Sequence, residues 1–190
     1  MDYSVLKKAI DGIVSLPEDD FAVLSACTTR KQLKRKESLL RQGEVCRSFF
    51  FVESGHLRTW YNKDGVPINQ HFTFEDEFTS VIKSLRDHQP SRLNVEAGEN
   101  ATVCIINLDL LWAQATERPQ LSRFFRKVVF RLLLAAESHN HLIKLHTPAE
   151  RYHYIEKHNP QLLQRISLAQ IASYLGLARE TLSRIRARSI

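Results

Sequence analysis

The sequence predicts an α+β protein in which a meander of short strands is flanked by helices, followed by a long helix and a C-terminal helix pair. Three observations carry this. Between residues 33 and 106, aromatic and β-branched runs alternate with glycine turns. Between Pro119 and Leu145, apolar residues recur in steps of three and four. Near the C-terminus, two helix-start signals precede a glycine and a basic, partly apolar segment.

The first 30 residues read as two short helices. Val5, Leu6, Ala9, Ile10 and Ile13 make one apolar stripe, and Phe21, Leu24 and Ser25 mark the inner side of a second helix after Pro17. The character then changes. Ser48 to Val52 and Leu57 to Tyr61 are strand-like, bounded by Gln42-Gly43-Glu44, Ser54-Gly55, Asp64-Gly65 and Ala97-Gly98. Asp-Gly between two such runs signals a hairpin, because its turn needs positive φ at both central residues. Short strands so punctuated suit a small sandwich or roll.

Asp109 to Ala115 reads as a short amphipathic piece, and Pro119 suits the first turn of a long helix. Leu121, Phe125, Val128, Leu132, Ala135, His139 and Leu142 form a heptad seam, the signature of a helical partner. Val129, Leu133, Ala136, Asn140 and Ile143 form a second stripe beside it. A helix with two apolar faces needs two partners. The seam is assigned to a second subunit and the other face to the strand region. In a parallel homodimer His139 would meet its twin, where it could fix register and titrate near neutrality; a neutral, hydrogen-bonded histidine is the plainer reading.

Thr147-Pro148-Ala149-Glu150 is a capping box with proline at the first helical position, so Leu145 to Thr147 is a break and an expected hinge. The domain boundaries follow: a strand domain over 1–107, the connecting helices over 108–146, and a helical domain over 147–190.

Composition narrows the function classes. The chain has 190 residues, 43% of them apolar, and no run near the roughly 20 needed to cross a bilayer. Its N-terminus mixes acidic, basic and apolar residues, unlike a signal peptide. A soluble, cytoplasmic protein without membrane association is expected. Cys27, Cys46 and Cys104 lack disulfide or metal spacing and read as buried thiols. His71-Phe72-Thr73 lacks a metal pattern, and His139 and His141 diverge on a helix, so no metal and no cofactor are expected. His56 and His71 read as packed or surface residues. There is no Gly-rich phosphate loop, G-x-S-x-G, H-E-x-x-H or carboxylate pair, which argues against an enzyme. The net charge is +6; from Thr147 onward seven basic residues face three acidic ones. Such a bias suits phosphate binding.

Ser167-Leu168-Ala169-Gln170 opens a helix with Leu168, Ile171, Ala172 and Leu175 on one face, and Gly176 stops it. A second helix follows, with Leu182 and Ile185 on one side and Arg179, Glu180, Ser183 and Arg184 on or near the other. This is helix-turn-helix geometry, in which the second helix enters the major groove N-terminus first. There an arginine can make two hydrogen bonds to guanine and a carboxylate can accept from cytosine.

Gln170-Ile171-Ala172-Ser173-Tyr174-Leu175-Gly176-Leu177-Ala178-Arg179-Glu180-Thr181-Leu182-Ser183-Arg184 closely resembles the recognition motif of the Crp/Fnr regulators. Leu39-Leu40-Arg41-Gln42-Gly43-Glu44, then Phe50 to Gly55 and Asp64-Gly65, resembles the start of that family's cyclic-nucleotide-type β-roll. The resemblance covers almost the whole chain. It implies a double-stranded, jelly-roll-like β-roll, a long dimerisation helix and a winged-helix-like C-terminal domain. It also implies a homodimeric transcription regulator on a pseudo-palindromic duplex, with RNA polymerase and a small-molecule effector as further partners. Arg179, Glu180, Thr181, Ser183 and Arg184, with Ser167 and Gln170, fall where the family meets DNA.

The sequence also departs from the pattern. Ala178 stands where the family usually has a capping Ser or Thr, and the chain stops at Ile190 where members often continue. The nucleotide cassette needs Gly-Glu for the ribose and Arg-Ser or Arg-Thr for the phosphate. Here Thr79 or Ser80 takes the glutamate position and Ser91 precedes Arg92, so Arg92 is expected on the opposite face. Control by cAMP is therefore not expected, whichever effector Thr79, Ser80, Ser91 and Arg92 surround. The rival reading is a ligand- or protein-binding regulatory module with a vestigial DNA-binding region.

Overall fold

A computed structural model describes residues 2–114 and 117–188. Two helices, α1 (Ser4–Asp11) and α2 (Glu18–Ala26), precede eight strands: β1 (Thr28–Leu33), β2 (Ser38–Leu40), β3 (Ser48–Ser54), β4 (Leu57–Lys63), β5 (Val66–Thr73), β6 (Phe78–Thr79), β7 (Asn94–Ala97) and β8 (Ala101–Asn107). A short helix α3 (Ile82–Asp87) interrupts them. Then come α4 (Leu108–Trp112), α5 (Pro119–Leu145), α6 (Pro148–His158), α7 (Pro160–Arg165), α8 (Leu168–Tyr174) and α9 (Arg179–Arg188). The strands form two four-stranded sheets, ordered β1-β8-β3-β6 and β2-β7-β4-β5. No strand lies between 147 and 188 among the described residues. No described helix is long and apolar enough to cross a membrane.

The chain groups into two compact units: residues 1–59 with 72–132, and residues 60–71 with 133–190. In the first, the unbroken apolar run on β3 is explained by burial on both faces. Phe49 and Phe51 join a cluster with Leu6, Ile10 and Leu24 of the N-terminal helices. Their neighbours Phe50 and Val52 face the opposite way, against Leu40, Leu57 and Val95. β8 divides likewise, with Cys104 and Ile106 on the helix side and Val103 on the other. Antiparallel pairing sets the register, for example Phe51 opposite Cys104 and Thr28 opposite Ile106.

The sequence carries no signal for α3. Six residues hold as a helix because Ser84 ties the segment to its surroundings: its Oγ accepts from the Cys46 amide at 3.0 Å and donates to the Gln89 carbonyl at 2.6 Å. The Asp64-Gly65 turn forms as expected, with φ of 52° and 85°.

The seam assigned to a second subunit lies otherwise. Leu121, Phe125 and Val128 are buried in the first unit's own core, where Phe125 stacks on Phe49 at 5.8 Å and meets Trp112 at 5.3 Å. Leu142 is also buried, Leu132 and His139 are half-buried, and Ala135 is exposed. The apolar side chains that α5 leaves in solvent include Phe130, Leu133 and Leu134, at 59%, 62% and 43% exposure.

Candidate nucleic-acid interface

The second unit builds its C-terminal helices from short, well-capped pieces. Thr147 and Glu150 form the capping box of α6: the Thr147 amide donates to the Glu150 carboxylate at 2.7 Å, and the Thr147 hydroxyl accepts from the Glu150 amide at 3.4 Å. The hydrogen bond from the Thr147 backbone holds the Glu150 carboxyl below its usual range. Ser167 caps α8, its hydroxyl accepting from the Gln170 amide and donating to the Gln170 side chain.

Gly176 ends α8 in the left-handed conformation at φ 65°. Its amide donates to the Ser173 carbonyl at 3.2 Å, and the Leu177 amide reaches back to Ala172 at 2.8 Å. These are the two bonds of a Schellman motif, which only a residue tolerant of positive φ completes without strain. The turn aims α9 across α8. Ile171, Ala172, Leu175 and Leu182 are all at least 98% buried between the two helices and α6, whose Tyr152 and Ile155 complete the core.

With Leu182 inside, Arg179, Glu180, Ser183 and Arg184 are exposed to solvent, Glu180 and Arg184 opposite Leu182 and Arg179 and Ser183 flanking it. Thr181 is half-buried. Among the described residues none of Arg179, Glu180 or Arg184 takes an ion pair, so their charge is directed outward. At about 1.5 Å per residue the four span roughly 7 Å of helix, the scale of two base-pair steps. Ser167 is exposed at the start of α8 and Gln170 half-buried. Ala178 supplies no side-chain cap; its carbonyl still accepts the Leu182 amide at 3.1 Å.

Two features of this unit have no motif to announce them. The first is Arg151. Its guanidinium donates to the His146 carbonyl at 2.9 Å, to the Leu175 carbonyl at 3.0 Å and to the Ile143 carbonyl. It thereby closes the C-terminal ends of α5 and α8, including the break expected to be a hinge. The second is the β4–β5 hairpin. The Asn69 amide donates to the Ser173 hydroxyl at 3.0 Å, the Asn69 side chain to the Gln170 carbonyl at 3.1 Å, and the Ser173 hydroxyl to the Pro67 carbonyl at 3.2 Å. Neither a single asparagine nor a single arginine carries a sequence signal for such contacts.

His139 does not face away from its own chain. Its ring stacks on Tyr174 of α8, centroids 4.3 Å apart and planes 25° apart. Burial, then the nearby Arg151 charge, lowers its pKa. Burial chiefly, with His139 as a second cause, brings His71 down from 6.5 to about 4. Both imidazoles are neutral at pH 7.

The effector candidates lie in the first unit. Thr79 is buried in β6. Ser80 donates to the Ser48 carbonyl at 2.8 Å. Ser91 is buried, its hydroxyl donating to the Leu93 carbonyl at 2.7 Å and accepting from the Leu93 amide at 2.9 Å. Arg92 is exposed. His56 is buried beside Phe72 and Phe74, so close to Gly98 that a Cβ there would fall 2.0 Å from its Nε2. No group of three potential metal ligands occurs among the described residues.

Residues 30–117 match the cyclic nucleotide-binding domain family. The transcriptional activator FnrA of Stutzerimonas stutzeri is 30% identical over 187 residues, covering 92% of this chain and 76% of that one. The activator Anr of Pseudomonas protegens is 30% identical over 188 residues with the same coverage. Among solved structures, FixK2 from Bradyrhizobium japonicum superposes with a TM-score of 0.72 at 22% identity, over 85% of this chain and 83% of that one. With this fold, and relatives that are regulators and not enzymes, the chain belongs to the Crp/Fnr family of transcription regulators.

Proposed function

We propose that this protein binds duplex DNA sequence-specifically as a homodimer, on a pseudo-palindromic site, without control by cAMP. The observation that carries the reading is α9: Leu182 anchors it while Arg179, Glu180, Ser183 and Arg184 stand exposed on one face. An arginine at the leading end of such a helix reads guanine by two hydrogen bonds. Exposed Phe130, Leu133 and Leu134 on α5 support pairing with a second copy, because they offer apolar area that the chain itself leaves uncovered. Two-fold symmetry then places the half-sites about one helical turn apart. Independence from cAMP is supported by the effector candidates: the Ser80 and Ser91 hydroxyls are engaged internally, and Arg92 is exposed to solvent.

Selection of random duplex DNA by the purified protein without added ligand tests this, beside an Arg179→Ala control. Enrichment of a palindrome is expected, with affinity in the control lower by about tenfold or more, the loss of a bidentate base contact. Failure to enrich any sequence, with or without cAMP, sinks the reading; enrichment only with cAMP sinks the ligand-independent part.

A further inference from the structure

We infer that the β4–β5 hairpin is a positioning arm for the DNA-reading helices, with Asn69 and Ser173 as its positioning residues. The inference rests on the DNA-binding reading above and adds to it what fixes the aim of α9.

The hairpin and α8 share three hydrogen bonds, one to Gln170 in its first turn and two to Ser173 near its end, so the helix is held along its length. Asn69 is only 4% exposed and uses both its backbone and its side chain on that helix. Ser173 accepts from one strand residue and donates its only hydroxyl proton to another, so both of these bonds go to the hairpin. The carbonyl that Asn69 engages is that of Gln170, in the first turn of α8. The neighbouring residue Tyr174 is held from a different side by the His139 ring. α8 is thus gripped by a strand and by the long helix, and α9 is fixed to α8 by the Schellman turn and buried Leu182.

None of these contacts covers the outward side chains of α9. The grip therefore restrains orientation without masking the reading face. For a dimer on two half-sites this matters physically. Two recognition helices must arrive together at one spacing and one rotational phase, and any freedom of the helix pair must be given up on binding. A hairpin closed by a tight Asp64-Gly65 turn is a stiff element to restrain them with.

The test uses the full-length protein and the palindromic duplex it selects, with variants Asn69→Ala and Ser173→Ala. Affinity is measured on the selected duplex and on one with two base pairs inserted between the half-sites, a rotation of about 70°. In the wild type the insertion is expected to cost about 100-fold, because restrained heads cannot follow the rotation. Either variant is expected to bind the selected duplex about tenfold more weakly and to lose most of the insertion penalty. Relaxed spacing is the readout that general destabilisation would not produce, and circular dichroism melts verify that each variant is folded. An unchanged insertion penalty in both folded variants overturns the inference, as does tighter binding to the selected duplex, which would make the hairpin a restraint against DNA. If the wild type selects no duplex, the DNA-binding reading itself has failed, a result distinguishable from these.

Discussion

Replacing Arg151 with methionine keeps a long apolar stem and removes the guanidinium. The side chain serves three carbonyls, two at the end of α5 and one at the end of α8. Helix-end carbonyls lack partners within their own helix, and a cation there also meets the negative end of the helix dipole. The three do not count equally. The end of α5 is wet, Leu145 being 73% exposed, so the Ile143 and His146 carbonyls regain water on substitution. Leu175 is fully buried, so its carbonyl loses a charged partner with little replacement. About 2 kcal/mol for the buried bond and about 0.5 for each wet one give a loss near 3 kcal/mol. For a chain of this size that is about 6–12 °C in Tm. Urea titration in a Trp112→Phe background isolates Trp60, the tryptophan grouped with α8 and α9, as the fluorescent probe. Arg151→Lys, which keeps the charge but not the fork, should recover less than half the loss. A change under about 0.5 kcal/mol for Arg151→Met, or full recovery by lysine, would refute the argument that three-way carbonyl closure stabilises the unit.

Other consequences follow from the same geometry. Gly176→Ala puts a Cβ at φ 65°, costing about 1–2 kcal/mol in the left-handed region; denaturant midpoints should fall accordingly, and DNA affinity with them as α9 loses its aim. Leu133→Glu on the exposed side of α5 should shift sedimentation toward monomer while leaving the circular dichroism spectrum and melting of the single chain unaltered. His71 titrates near 6.5 when unfolded and at about 4 when folded, so its contribution is complete above pH 6.5. As pH falls from 6.5 toward 4 the unfolded chain takes up a proton that the folded one resists, and up to about 3 kcal/mol is lost. Urea midpoints across that range should flatten in His71→Leu, and an unaltered slope would assign the acid sensitivity to other groups.

How much of the fold and the candidate site is legible in the sequence depends on the range of each interaction. The Thr147–Glu150 capping box, the Ser167 N-cap, the Asp64-Gly65 turn, Pro119 and Gly176 act over three or four residues, and each takes its local role in the folded chain, although Gln170 does not return the bond to the Ser167 backbone that a full capping box needs. The apolar run at Phe49–Val52 is legible as a strand, and its lack of alternation fits burial on two faces. α3 is not legible, because its stability comes from Ser84 bonding to residues outside the helix. Nor are the contacts of Asn69, which join residues about 100 positions apart.

The long helix separates what periodicity can say from what it cannot. Spacing of three and four residues along α5 identifies apolar stripes and predicts that each will be covered. It carries no label for the partner that covers it. Leu121, Phe125 and Val128 have the regular heptad spacing that suggests a second chain, yet they are consumed by Phe49, Phe124 and Trp112 of the same chain. The stripe with Leu133 looks the weaker because Asn140 interrupts it; its Leu133, Ala136 and Asn140 are exposed, while Val129 packs half-buried on the same core and Ile143 is half-buried. The physical reason is that a buried aromatic cluster rewards the more continuous stripe, and each large side chain there is worth about 1.5–3 kcal/mol in burial. An interface formed only after folding must use what remains. The mixed character of the remaining face, apolar at Phe130 and Leu133 and polar at Asn140, suits a surface that must stay soluble in a single chain and still pair with a second.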